Sequence, residues 1–394
     1  MKKAVLGVIG AGHLANAQHL PNLMYTPNAF LKTVCDIRPE AVKAAQADYK
    51  IPHGETDYKK VLADPEIQGV LVVTQPKDHA PLTIEALKAG KHVYVEKPLA
   101  ESVEECRSII AAEKASGKHV AVGLNRRFAP AYRKAKELLA RHGGAHNIFY
   151  RMTDTYSYTW GRNMPPGCRV FHETCHVFDI LRWLTGQEVQ TVYCVDGRPD
   201  DEIVTLKFAG GSVATIMSSG WATLDWPKES MEVIAGKGGL TVDNFVEMWT
   251  YGFDDAERRY RFKGHFHPGQ EWTQGFMYEA LGSEALRAMY AHMPLRFELE
   301  KAANPAKFGL APFEVPFPDT AEGRIYKEWL QKISGGYDVN KGWLPSVEHF
   351  AQCILDGSTP ENAGARDGLI AEQLANAVVE SRKAGKPVRL ANSD

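Results

Sequence analysis

His172-Glu173-x-x-His176 sets two imidazoles and a carboxylate within five residues. A zinc helix uses this pattern to present two metal ligands and a general base. The surrounding stretch runs from Cys168 to Leu184. On a helical period of about 3.6 residues, His172, His176, Asp179 and Trp183 share one narrow stripe. Val177, Ile180, Leu181 and Leu184 fill the broad apolar side, so the helix is built for burial. Imidazole titrates near neutral pH, so the same residues also suit proton transfer to a reagent supplied from elsewhere in the chain. The bland alternative is a pair of core histidines held by hydrogen bonds.

A second constellation lies at the start. The apolar run Ala4–Ile9 reads as a buried strand and ends in Gly10-Ala11-Gly12-His13-Leu14-Ala15. A glycine at 10 permits a tight turn. A glycine at 12 lets backbone approach a pyrophosphate, and Ala15 keeps the next helix close to the sheet. The start of that helix, at His13 and Leu14, offers free N–H groups to phosphate. Pro21 is expected to break it. The next strand, Leu31–Cys35, ends in Asp36, placed to bind an adenine ribose. A carboxylate there disfavours a 2′-phosphate, which points to NAD over NADP; Arg38 tempers that preference.

The elements that must position these groups alternate. Val70–Val73 precedes Thr74-Gln75-Pro76-Lys77-Asp78-His79 and a helix over about 80–89. His92–Val95 precedes Glu96-Lys97-Pro98 and a helix over 103–116, and 120–122 is a short strand. This rhythm predicts a doubly wound parallel sheet with ligands at the carboxyl ends of its strands. Gly10, Gly12, Asp36, Thr74, Pro76, His79, Glu96 and Lys97 then share one rim. An ammonium at Lys97 would stabilise an alkoxide developing during hydride transfer.

Composition excludes several classes. A net charge of −2 with no basic block argues against nucleic acid and membrane surfaces. Apolar runs are of strand length, so none spans a bilayer. The first residues read as a strand rather than a leader, which makes the cytoplasm the expected location. The six cysteines have irregular spacing and are expected to be reduced thiols.

The motifs together resemble the glucose-fructose oxidoreductase / inositol dehydrogenase / rhizopine-catabolism family. Those that carry the resemblance are Gly10-x-Gly12, Thr74-x-Pro76-x-x-His79, Glu96-Lys97-Pro98, Asn125-Arg126-Arg127-Phe128, His176-x-x-Asp179 and Leu181-x-Trp183-Leu184-x-Gly186. The resemblance implies that Lys97 lies between nicotinamide and substrate, that Lys97–Pro98 is cis, and that His176 is the acid/base. It also implies cofactor contacts at Asn125 and substrate contacts at Arg127 and Asp179. The family commonly has an aspartate four residues before that histidine; His172 stands there instead, with Glu173 beside it. Both are carried as catalytic candidates.

Residues 1–125 are thus expected to form a dinucleotide-binding Rossmann domain. Residues 126–394 are expected to form an α+β domain with a large, mostly antiparallel open sheet. After a helix over 129–141, a long strand is expected over 146–159, with further strands at 203–208, 213–217, 231–234 and 240–242. The resemblance implies that the sheet's second face packs on another subunit, giving a homodimer or homotetramer. Tyr156, Tyr158, Trp160, Arg162 and Arg169 are candidate substrate contacts. Segment 255–340 lies outside the resemblance and reads as an insertion. The expected function is NAD-dependent hydride transfer at a carbinol carbon of a sugar or polyol. An NAD-dependent glycosidase or lyase, a zinc hydrolase through His172-Glu173-x-x-His176, and a non-catalytic NAD-sensing protein are the alternatives.

Overall fold

The computed structural model describes residues 2–155, 164–264, 274–305, 310–332 and 339–390. Six strands form the first sheet: β1 (Ala4–Ile9), β2 (Ala29–Cys35), β3 (His53–Glu55), β4 (Gly69–Val72), β5 (His92–Val95) and β6 (Val120–Val122). Their order is β3-β2-β1-β4-β5-β6 with every pair parallel. Both faces are covered, which is why β4 and β6 are continuous apolar runs with no polar alternation. The order reverses direction between β1 and β4, and a crevice opens there at the strand ends.

Two helices differ from the expected bounds. The helix after the glycine turn is not broken at Pro21. It passes through a π turn at Ala15–His19 and continues over Leu20–Tyr25. Leu20 N–H bonds to the Ala15 carbonyl across that wide turn. The extra room accommodates a pyrrolidine ring and its missing N–H. The helix expected from about 80 begins at Pro76, a residue suited to the first helical turn.

The second sheet is nine-stranded. Its strands are β7 (Asn147–Thr153), β8 (Val189–Arg198), β9 (Asp201–Phe208), β10 (Val213–Ser219), β11 (Glu229–Ala235), β12 (Gly238–Asp243), β13 (Glu247–Tyr251), β14 (Arg259–Arg261) and β15 (Val388–Arg389). The order is β14-β13-β12-β11-β7-β10-β9-β8-β15, with β7 and β10 the parallel pair. The strand expected over 146–159 ends at Thr153; residues 156–159 lie outside the described residues. One face carries Ile148, Val204, Ile216 and Met231, packed against Tyr132, Leu138, Phe178, Ile180, Leu374 and Val378 from three helices. The other face leaves Phe149, Tyr193, Val195, Ile203, Val213 and Ile234 exposed.

Segment 255–340 contributes the helices Gln274–Leu281, Ser283–Tyr290, Met293–Ala303 and Ala321–Lys332. Tyr278, Leu286, Met289, Leu330 and Val339 join the same core, so the insertion is part of the fold's interior. The chain then returns to the first sheet. Val347, Phe350 and Ala351 of the helix Trp343–Asp356 pack with Leu6, Val8 and Tyr94. Among the described residues, no helix is long and apolar enough to cross a membrane.

Candidate active site

Gly10 closes β1 with φ +102°, and a Cβ there would lie 2.2 Å from the Val73 carbonyl oxygen. Only glycine admits that approach of the β1 and β4 ends. At Gly12 a Cβ would meet nothing within 4 Å, so this backbone borders open space. Asp36, at the end of β2, accepts the Ala11 N–H at 2.8 Å. Its carboxylate also takes the Arg38 guanidinium at 2.9 and 3.1 Å. Burial would raise the Asp36 pKa, but the Arg38 and Ala11 hydrogen bonds hold it below the usual range. An open glycine backbone, a helix beginning behind it and an ionised carboxylate at the neighbouring strand fit a dinucleotide.

Lys97 follows β5, and the Lys97–Pro98 bond is cis, as expected. His79 bridges the ends of β4 and β5: its Nδ1 lies 2.6 Å from the Pro98 carbonyl and its Nε2 3.3 Å from that of Thr74. Lys97 Nζ crosses to the histidine helix. It donates to the His172 carbonyl at 2.5 Å and pairs with Glu173 Oε1 at 3.3 Å. Val170–Thr174 form a π turn before the α-helix Cys175–Thr185. Such a turn loosens the backbone ladder and favours carbonyl contacts outside the helix.

Charge is concentrated here. Glu173 also holds Lys228 Nζ at 2.5 Å, and Lys228 reaches Asp154 at 3.0 Å. Burial would raise the Glu173 pKa, but Lys228 and Lys97 keep it well below the ordinary value. Glu229 accepts Arg126 at 2.6 and 3.2 Å and the Tyr150 hydroxyl at 2.6 Å. His176 is 3 % exposed, and its Nδ1 has no hydrogen-bond partner. Burial, then Arg126 and Lys97, press its pKa well below 6.5, which leaves a neutral imidazole at neutral pH. Burial and Lys97 lower that of His172 to about 4.

Five other expected contacts have partners within the chain. Glu96 is buried and bonded to His19 Nε2 at 2.8 Å, which ties β5 to the first helix. Asn125 is buried, with its amide donating to the Lys341 carbonyl at 2.8 Å. Arg127 and Asp179, expected at the substrate, form a buried two-pronged pair at 2.9 and 2.5 Å, and Asp367 adds to it at 3.0 Å. Arg169 is fully buried and spends its guanidinium on Asp154, Ser218 and the Met152 carbonyl. Tyr156, Tyr158, Trp160 and Arg162 lie outside the described residues. Lys228, Glu229 and Lys341 were missed by sequence reasoning. The first two lie ahead of the strand expected at 231–234, and Lys341 lies just past the segment 255–340. The zinc motif does not fit a zinc ion: its base, Glu173, is clamped between two ammonium groups. Among the described residues no three metal-binding side chains gather.

Residues 5–124 match the model of the oxidoreductase family with an NAD-binding Rossmann fold, GFO_IDH_MocA. Over this stretch the chain carries that family's NAD-binding Rossmann domain. The uncharacterized oxidoreductase YrbE of Bacillus subtilis is 29% identical over 256 residues, covering 62% of this chain and 74% of its own. Myo-inositol 2-dehydrogenase of Thermotoga maritima is 28% identical over 255 residues, covering 61% and 76%. The crystal structure of Lactobacillus casei myo-inositol dehydrogenase with NAD(H) and myo-inositol superposes with a TM-score of 0.69 at 21% identity, covering 100% of this chain and 98% of that one. The shared fold therefore extends beyond the Rossmann part through the nine-stranded sheet.

Proposed function

We propose that this oxidoreductase moves a hydride between the nicotinamide of NAD and a carbinol carbon of a sugar, sugar derivative or polyol. The observation that carries the reading is the meeting of Lys97, at the end of β5, with the turn that opens the His176 helix, 2.5 Å from Nζ to the His172 carbonyl. Relatives named for inositol oxidation support the substrate class. When bound, NAD supplies the hydride acceptor. Neutral His176 takes the hydroxyl proton as base. Lys97 steadies the developing alkoxide, and Glu173 fixes the ammonium's position. Lys228 in turn fixes Glu173, so His172 and Glu173 act as positioning residues.

The test is a panel of sugars and polyols with NAD, followed by absorbance of the reduced cofactor. Lys97→Ala and His176→Ala should each lower turnover by about 10²-fold or more, with NAD affinity retained. Turnover at the wild-type level in either variant would remove that residue from the mechanism. NADH formed in step with oxidised product separates this reading from a glycosidase or lyase that recycles its NAD. The chain's partners are further copies of itself, joined through the apolar outer face of the nine-stranded sheet. A cytoplasmic location suits the irregular spacing of the six cysteines.

A further inference from the structure

Lys341 lies beside the charged cluster of Arg126, Lys228 and Glu229, and among the described residues no carboxylate bonds to it. The loop that carries it is closely specified. Val339 is fully buried, Lys341 N–H bonds to the Val339 carbonyl at 2.9 Å, and the Asn340 side chain accepts the Gly342 N–H at 3.1 Å. Gly342 has φ +86°, and a Cβ there would lie 2.5 Å from the Phe128 carbonyl carbon and 2.6 Å from the Asn125 oxygen. Asn125 fastens the Lys341 carbonyl from the Rossmann side. The ammonium then lies 6.0 Å from the centre of the Phe245 ring, with the Arg126 guanidinium 5.9 Å from the same ring.

The neighbouring charges do not balance it. Glu229 is committed to Arg126, and Glu173 to Lys97 and Lys228. Among the described residues, Lys97, Lys228, Arg126, Arg169 and Lys341 outnumber the carboxylates Glu173, Glu229 and Asp154 that bond within this group, while His172 and His176 are neutral. Burial, then Lys228 and Arg126, lower the Lys341 pKa to about 8 against the pull of Glu229 and Glu173. A cation held by its fold against repulsion, and left without a counter-charge, is a ready site for an anion.

We propose that the substrate carries an anionic group, a carboxylate or a phosphate, and that Lys341 receives it. This rests on the dehydrogenase reading and narrows its substrate class from neutral polyols to polyhydroxylated anions. Lys341 is then a specificity residue, separate from the reacting Lys97 and His176.

The test titrates matched probes into the wild-type protein saturated with NADH: gluconate against sorbitol, and glucose 6-phosphate against glucose. The anion of at least one pair should bind about tenfold more tightly or better, about 1.4 kcal/mol. The winning pair tells carboxylate from phosphate. The advantage should shrink in high salt and as pH rises through about 8, where Lys341 loses its charge. Lys341→Gln should collapse the anion-to-neutral ratio by about tenfold; if that variant does not fold, the salt and pH series on the wild type decides. No anion preference in either pair overturns the inference. Turnover is read separately. Anion preference without NADH formation from NAD retires the dehydrogenase reading and keeps the anion site; oxidation of the neutral probes without anion preference does the reverse.

Discussion

Lys97, Glu173 and Lys228 form one line of alternating charge, with separations of 3.3 and 2.5 Å. Each member is held by the next, which gives the Lys97 ammonium a fixed place in a poorly screened interior. The histidines beside it have acid–base consequences for the fold. His172 titrates near 4 in the folded chain and near 6.5 when unfolded, and His176 is also depressed. The unfolded chain therefore binds more protons below 6.5. Stability is full above that value and is lost as pH falls from 6.5 towards 4. Urea unfolding midpoints should fall across that window, and His172→Gln should flatten part of the slope. A slope unaltered by the substitution would show that His172 is not desolvated. The sequence marked His172, Glu173 and His176 by their local spacing and Lys97 by its place at the end of an expected strand. It did not reveal the buried partners of Arg127, Asp179 and Arg169, since a charged residue on a helix or strand reads alike whether it faces a ligand or a buried partner. Asp179 shares the stripe of His176, yet its counter-charge comes from residue 127, which only the tertiary fold brings near.

The elements were legible where a single period governs them. The parallel strands stand close to their expected ends because apolar runs bounded by glycine or a polar turn leave little choice. The two π turns, at Ala15–His19 and Val170–Thr174, were not legible. A 3.6-residue template cannot register an inserted residue, and the proline at 21 read as a stop when it is a consequence of the widened turn. The loop at Val339–Gly342 is also irregular, and its shape depends on one backbone. Gly342→Ala adds a side chain both in a left-handed conformation and against backbone atoms of residues 125, 128 and 129. It should cost about 2 kcal/mol or more in denaturant titration and displace Lys341. Wild-type stability in that variant would mean the loop yields without strain.

At the scale of the molecule, the nine-stranded sheet leaves one apolar face uncovered. A row of Tyr193, Val195, Ile203, Val213, Phe149 and Ile234 is more than scattered surface hydrophobicity. The mass in solution, measured by light scattering on an eluting column, should be that of two or four chains. The paired substitution Ile203→Glu with Ile234→Glu should shift it to one. A wild-type protein eluting as a single chain at micromolar concentration would rule out this face as an interface. Alternation along β9 and β11 made the two faces legible. The return of the helix Trp343–Asp356 to the first sheet was hidden, because nothing in a helix's own period says which sheet it will cover.

That returning helix begins at Trp343, with Gly342 the one residue between it and Lys341. The side chain that would choose the ligand is therefore mounted next to the module that grips the cofactor, while His176, the proposed base, belongs to the other. Selection and chemistry can drift apart in such a protein. A new preference could be grafted by exchanging the few residues ahead of the helix, with the hydride-transfer machinery inherited unchanged.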